Sequence, residues 1–398
     1  MLRPVTYIKI EQQPSLDFPK RTTVLNFDLV THFEANDNWR DLTNKGKITI
    51  PKNLYFRDEN NKLQPLNGTN INIGGFSSKD PLFLRGDKVT IIAGYKYFNK
   101  DHREIEETSQ FFSGYISKVG SKKPIELEIE NNMWLLKQTP VPRRTFLKND
   151  SLEKIMQFLI DQVEGQPFTI NTLKSVTTFG VFSTENETAA AALYRLQKMN
   201  GFEFYFRGNE LRGGVLVFDF NSQVKENFHF QENIISDDLE YTRLEDITLS
   251  ALAYNTITED DGFCKDGSAK TKKRRLEVLV IIKHHPKIGE IPYTYRQLHR
   301  DDIRPENTDG ERMDYHFPGE TTIDGLARRA YDKLSKYNYT GFRGGFTTFG
   351  LPFMMQGDNA VITDKILPER NGTYRVRSVE YTGGINGLRQ IIKLDYRL

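Results

Sequence analysis

Two stretches of this chain carry one pattern: Phe83-Leu84-Arg85-Gly86-Asp87-Lys88-Val89-Thr90-Ile91 and, far downstream, Phe353-Met354-Met355-Gln356-Gly357-Asp358-Asn359-Ala360-Val361-Ile362. Each is an apolar lead-in, a Gly-Asp pair and an apolar run. Gly takes positive φ freely and Asp bonds its own backbone, so the pair marks a tight turn into a strand. A second strand follows each turn: Phe112-Ser113-Gly114-Tyr115-Ile116-Ser117-Lys118-Val119 in the first copy, Asn371-Gly372-Thr373-Tyr374-Arg375-Val376-Arg377-Ser378-Val379 in the second. A third closes each, Ile125-Glu126-Leu127-Glu128-Ile129 and Arg389-Gln390-Ile391-Ile392-Lys393-Leu394, and the first copy is longer by a charged stretch at 99–107. Self-similarity of this kind predicts two copies of one β unit in a single chain.

Residues to about 145 read as strands. Leu25, Phe27 and Leu29 alternate with polar neighbours, as do Ile48 and Ile50, and Ile125, Leu127 and Ile129. Period two with Gly, Asn and Asp punctuation is the pattern of a half-buried strand. The turn-rich stretches 58–72 and 99–108 read as long solvated loops. Further on, Leu152, Ile155, Met156, Leu159, Ile160 and Val163 share one helical face, with Asp150 and Glu153 as a capping pair. A second helix over 187–199 stops at Asn200-Gly201, and two strands follow, 202–206 and 215–220. The last part returns to strands at 247–254, 276–282, 374–379 and 390–396. A helix interrupts them, its Ile323, Leu326, Ala327, Ala330, Tyr331, Leu334 and Tyr337 forming one stripe behind Thr321 and Asp324. The expected fold is mainly β with an α+β insert. It comprises a first tube-like β-barrel domain (1–145), an inserted α/β domain (146–235) and a second tube-like β-barrel domain (236–398) with a packing helix at 322–338.

At 398 residues the chain exceeds one ordinary core. Hydrophobic residues at 37% and charged residues at 27% describe a globular protein, and 12% aromatics lean towards sheet. Lys and Arg number 55 against 53 Asp and Glu, a net charge of +2, which argues against a dedicated nucleic-acid binder. The single cysteine, Cys264, has no partner for an internal disulfide and fits a cytoplasmically folded product, or at least a fold that does not depend on bridges. No signal peptide opens the chain and no window reaches the ~20 apolar residues of a membrane span, so a soluble protein is expected.

No motif carries chemistry. Arg85-Gly86-Asp87 spells an adhesion tripeptide but sits where the repeat needs its turn. Lys272-Lys273-Arg274-Arg275 reads as a solvated loop. Glu259-Asp260-Asp261-Gly262 with Asp266 offers hard oxygens for Ca²⁺ in a 259–266 loop, without the alternating ligand order of a helix–loop–helix calcium site. His284 and His285, adjacent on a strand, would point to opposite faces, and His299 and His316 lie far off. Cys264 has no neighbouring histidine, and nothing marks any carboxylate pair as special. No catalytic, cofactor-binding or metal-binding residue is therefore assigned, and no cofactor is expected.

The helix 323–337, then Gly344-Gly345-Phe346-Thr347-Thr348-Phe349-Gly350-Leu351-Pro352, Gln356-Gly357-Asp358-Asn359-Ala360-Val361 and Gly372-Thr373-Tyr374-Arg375-Val376 resemble the second barrel of phage baseplate hub proteins of the late-control-D-like family. That family includes the hub portion of type VI secretion spike proteins. Gly114-Tyr115-Ile116 and the strand after it resemble the end of the first barrel. The resemblance implies a non-enzymatic homotrimer whose six barrels make a pseudo-six-fold ring. Such a ring would join the tail tube protein to a three-fold spike or tail-tip protein, within a virion tail or injection particle assembled in the bacterial cytoplasm. A tape-measure protein is a further partner, and DNA would be met in transit. Because the chain ends at Leu398, after the closing strand, the spike is expected as a separate chain. The competing readings are a receptor- or carbohydrate-binding tail-tip protein and a tail-associated cell-wall hydrolase.

Overall fold

Leu127 and Ile129 are fully buried while Glu126 and Glu128 stand exposed, the alternation of a strand with one face on a core. That pattern recurs through the computed structural model. It describes residues 2–28, 30–51, 55–58, 60–65, 81–120, 124–147, 149–165, 168–172, 181–200, 202–214, 225–263, 269–283, 286–299, 312–317 and 320–398.

The first repeat holds β1 (Arg3–Glu11), β2 (Val24–Phe27), β3 (His32–Asn38), β4 (Lys45–Ile50), β5 (Tyr55–Arg57), β6 (Leu63–Pro65), β7 (Lys88–Phe98), β8 (Glu104–Val119) and β9 (Ile125–Glu130). The helical insert follows with α1 (Met133–Gln138), β10 (Thr145–Phe146), α2 (Leu152–Ile160), β11 (Thr169–Asn171), β12 (Phe182–Ser183), α3 (Ala189–Asn200), β13 (Glu203–Arg207) and β14 (Glu210–Gly214). Then come β15 (Lys225–His229), β16 (Ile234–Asp237), β17 (Glu240–Thr242), β18 (Ser250–Phe263), β19 (Ala269–Ile282), β20 (Tyr293–Leu298), β21 (Arg312–His316) and α4 (Ile323–Leu334). The chain closes with β22 (Gly341–Arg343), β23 (Gly345–Phe349), β24 (Asn359–Thr363), β25 (Gly372–Gly384) and β26 (Arg389–Arg397).

The two repeats belong to one 15-stranded sheet, in the order β16-β23-β26-β25-β3-β4-β9-β8-β7-β1-β2-β5-β6, with β24 joining β25 to β15. One apolar core serves both, from Ile8 and Ile10 through Phe111 to Tyr381 and Leu394. The insert has its own core, running from Met133 on α1 to Leu211 on β14. A four-stranded sheet, β20-β19-β18-β21, makes a further unit. The α4 stripe of Leu326, Ala327, Ala330 and Leu334 packs against Ala251, Ala253, Val278 and Val280 of that sheet, so the amphipathic helix read from the sequence covers this sheet.

Local chemistry moved several boundaries. The cap of α2 is Ser151, whose hydroxyl accepts from Lys154 N–H at 3.2 Å, while Asp150 instead holds Leu147 N–H. The cap of α4 is Thr322, one residue after the expected Thr321, accepting from Gly325 N–H. In each case the extended residue just before the first turn supplies the oxygen. The 99–108 stretch is a hairpin rather than a long loop. Asn99 Oδ1 holds the N–H groups of Asp101 and Arg103, and Glu104–Thr108 pair with Gly94–Phe98. Of the 58–72 stretch, 63–65 form β6 and 66–72 lie outside the described residues, as does the expected strand 215–220. Lys272–Arg275 lie in strand β19 rather than a loop, opposite Thr256–Glu259 of β18. Among the described residues no helix is long and apolar enough to cross a membrane.

Candidate assembly interface

The two Gly-Asp turns agree hydrogen bond for hydrogen bond. Gly86 (φ +98°) donates to Ile116 C=O at 2.8 Å and Gly357 (φ +81°) to Val376 C=O at 2.9 Å. Ile116 and Val376 N–H return bonds to the carbonyls of Asp87 and Asp358, both at 2.9 Å. Each Asp carboxylate reaches back to the lead-in, Asp87 to Leu84 N–H at 2.8 Å and Asp358 to Met355 N–H at 2.9 Å. The following pairings also match. β8 meets β9 with a bulge between Ile116 and Lys118, and β25 meets β26 with one between Val376 and Ser378. These bonds place Ile116 on Val376 and Val119 on Val379. Tyr115 therefore corresponds to Arg375, not to Tyr374, because the turn bonds and the bulge decide register rather than side-chain likeness.

Both turns are locked by an arginine far away in sequence. Arg21 meets Asp87 through two bonds, 2.9 and 2.6 Å, with both side chains fully buried. Arg207, delivered by β13 of the insert, meets Asp358 at 2.7 Å. The Arg21 contact is bidentate, and with the N–H groups of Leu84 and Gln13 it gives the buried Asp87 carboxylate four donors, whereas Arg207 meets Asp358 through one bond and Gln356 C=O through another.

The repeats join where β25 pairs antiparallel with β3, from Ser378 opposite Asn38 to Gly384 opposite His32. Phe111 packs on Phe353 (4.8 Å) and Tyr381 (5.0 Å) across this joint. Tyr95 of the first repeat donates to Leu388 C=O and accepts from Gly350 N–H of the second, each at 3.0 Å. Gly384 has φ +132°, and a Cβ there would lie 2.4 Å from Thr31 C=O. Gly384→Ala is therefore expected to cost about 2 kcal/mol through strain and clash. A lowered urea midpoint would register it, and an unchanged midpoint would refute it.

Titratable groups gather beside the joint. Burial pushes the Asp37 carboxyl up to about 7, against opposing help from Gln356 N–H and Arg207. Asp358 is raised too, again by burial first. A second cluster brings Arg40 onto Asp395 and Tyr337, with Glu203, Lys333 and Lys336 nearby. Burial raises the Asp395 and Glu203 carboxyls and lowers both lysines. These clusters tie together both repeats, the insert and the end of α4.

The residues with possible chemistry stay apart. Asp87 of the Arg-Gly-Asp tripeptide is fully buried and bonded to Arg21, so it cannot serve as an exposed adhesion loop. His316 stacks on Tyr254 at 5.0 Å, and Arg275 covers the same ring at 4.4 Å. His299 follows β20. Cys264, Asp266, His284 and His285 lie outside the described residues, and so do the side chains of 259–262. Among the described residues no three His, Cys, Asp or Glu come together as metal ligands. Arg21, Arg207, Arg40 and Tyr95 escaped sequence reasoning. Nothing local distinguishes a buried arginine with a distant partner from one on the surface.

The sequence matches no family model and no curated protein. Solved structures do match the fold. A tail protein from Neisseria meningitidis MC58 superposes with TM-score 0.54 at 11% identity, over 100% of this chain and 97% of that one. The 43 kDa tail protein of prophage MuSo2 from Shewanella oneidensis gives 0.54 at 12% identity, over 98% of each chain. A chain of the half-lidded Francisella PdpA–VgrG complex gives 0.51 at 10% identity, over 99% of this chain and 58% of that one. The fold is thus mainly β and is that of phage tail proteins.

Proposed function

We propose that this chain is a non-enzymatic structural hub of a phage tail or contractile injection machine. Three copies form a ring of six barrels that joins the hexameric tail tube to a separate three-fold spike or tail-tip protein. The observation that carries this reading is the internal joint itself, which shows how one repeat docks on another. Val379 is fully buried there, opposite Asp37 on β3. Its counterpart Val119, at the end of β8, is 37% exposed. The position of β3 in the second repeat is taken by β16, which pairs with β23 as β3 pairs with β4. It stands at the end of the sheet with Ile235 exposed. Among the described residues, both halves of the same joint thus lack a partner strand, and a head-to-tail contact that closes under three-fold rotation would cover two sheet edges.

The solvent face of the central strands supports a channel wall. Successive strands β9, β4, β3, β25 and β26 place Glu128, Lys47, Glu34, Thr382 and Arg389 in one cross-strand row. Lys47 also pairs with Glu126 at 2.8 Å. A row of mixed sign has no continuous basic stripe to retain DNA in transit or a passing tape-measure protein.

Light scattering on the purified chain tests the reading, with a mass of three times 46.1 kDa expected. Val119→Glu with Ile235→Glu is expected to yield a folded monomer, since two buried carboxylates at each joint would be left unpaired. A wild-type monomer at working concentration would refute the ring. Clearing of cell-wall suspensions by the purified protein would favour a hydrolase instead.

A further inference from the structure

Among the described residues, the longest strand pair, β18 with β19, outruns its own sheet. β21 borders β18 along Ser250–Tyr254, and β20 borders β19 along Glu277–Ile282. Beyond Asn255 and Leu276, β18 and β19 pair with each other from Thr256 opposite Arg275 to Phe263 opposite Ala269. Among the described residues, no strand borders either outer edge of this ribbon. At ~3.3 Å per residue it runs roughly 25 Å past the sheet. Two strands alone are marginal in water, and free edges invite pairing. The two edges also differ in charge. The outer part of β18 carries Glu259, Asp260 and Asp261, and that of β19 carries Lys270, Lys272, Lys273, Arg274 and Arg275. The described basic residues, Lys272–Arg275, are all exposed.

We infer that the ribbon is an assembly arm whose occupant is the same ribbon in a second copy of this chain, the acidic β18 edge of one protomer lying along the basic β19 edge of the next. The contact joins unlike edges, so it is heterologous and closes after three copies, as the proposed trimer requires. Strands β18 and β19 run in opposite directions. Arms pointing the same way therefore pair antiparallel between copies as they do within each, giving a closed six-stranded ring with no exposed edge. Alternation of acidic and basic strands round that ring selects this arrangement over like-edge pairing, which would oppose Lys272–Arg275 to themselves.

This inference rests on the trimer proposed above, and the experiment separates the two. The full chain would be co-assembled from isotopically heavy and light copies and treated with a zero-length carbodiimide, which couples a lysine to a carboxylate only in direct contact. Linked peptides joining 259–261 to Lys270, Lys272 or Lys273 with one heavy and one light partner are expected. Same-label links report the pairing inside one ribbon. A trimer by light scattering that yields same-label links alone overturns the arm and leaves the hub standing. A monomer overturns both.

Discussion

Asp87→Ala is expected to cost about 3–5 kcal/mol of folding free energy, the loss that follows when one member of a buried ion pair is removed. The carboxylate takes two bonds from Arg21 and one each from the N–H groups of Leu84 and Gln13, at 2.6–3.0 Å. Without it the Arg21 guanidinium is left charged and fully enclosed. Urea unfolding of the variant reads the loss directly. The double variant Arg21→Met/Asp87→Leu should recover much of it, because replacing both partners by apolar groups of similar volume removes the unpaired charge. If Asp87→Ala unfolds at the wild-type midpoint, the buried pair is not what holds the first turn. Asp358→Ala should cost less, since Arg207 keeps 18% of its side chain in water and can be solvated once its partner is gone.

Asp37→Asn is expected to stabilise the protein at pH 8 and to flatten its dependence on pH. Burial holds the Asp37 carboxyl at about 7 in the folded chain, against an ordinary value of 3.8. Between roughly pH 4 and 7 the folded state keeps a proton that the unfolded state has released, so stability falls as pH rises through that window. Asp37 is half-buried by area although its carboxyl is enclosed, so solvent screening reduces the effect to about 1–3 kcal/mol. Asp358, Asp395 and Glu203 are raised in the same sense and leave a smaller slope in the variant. Unfolding midpoints at pH 5 and pH 8 compare the two proteins. An equal slope in both would show that Asp37 titrates normally.

Much of the architecture was legible from particular residues. Gly86-Asp87 and Gly357-Asp358 marked the two copies because only a small set of residues accepts a positive-φ turn followed by a side-chain-to-backbone bond. The Ile323–Leu334 stripe marked its helix because a 3.6-residue period is a local property. From sequence alone the basic run at Lys272–Arg275 reads as a loop, because charge density says nothing of a partner strand. Here the partner, Thr256–Glu259, lies more than ten residues upstream and supplies the backbone bonds that make both segments strands.

The internal repeat fixes two Gly-Asp turns, their flanking strands and a mainly β chain. Those features depend on φ preferences and period-two burial, which act over a few residues. Tertiary structure decided the rest. It laid β25 on β3 so that two repeats share one sheet and one core, and it brought Arg21 to Asp87 and Arg207 to Asp358 across 66 and 151 positions. It also left Val119 and Ile235 exposed on strands β8 and β16. Pairings at such separations are selected by the total burial of the fold, and no short stretch of residues encodes them.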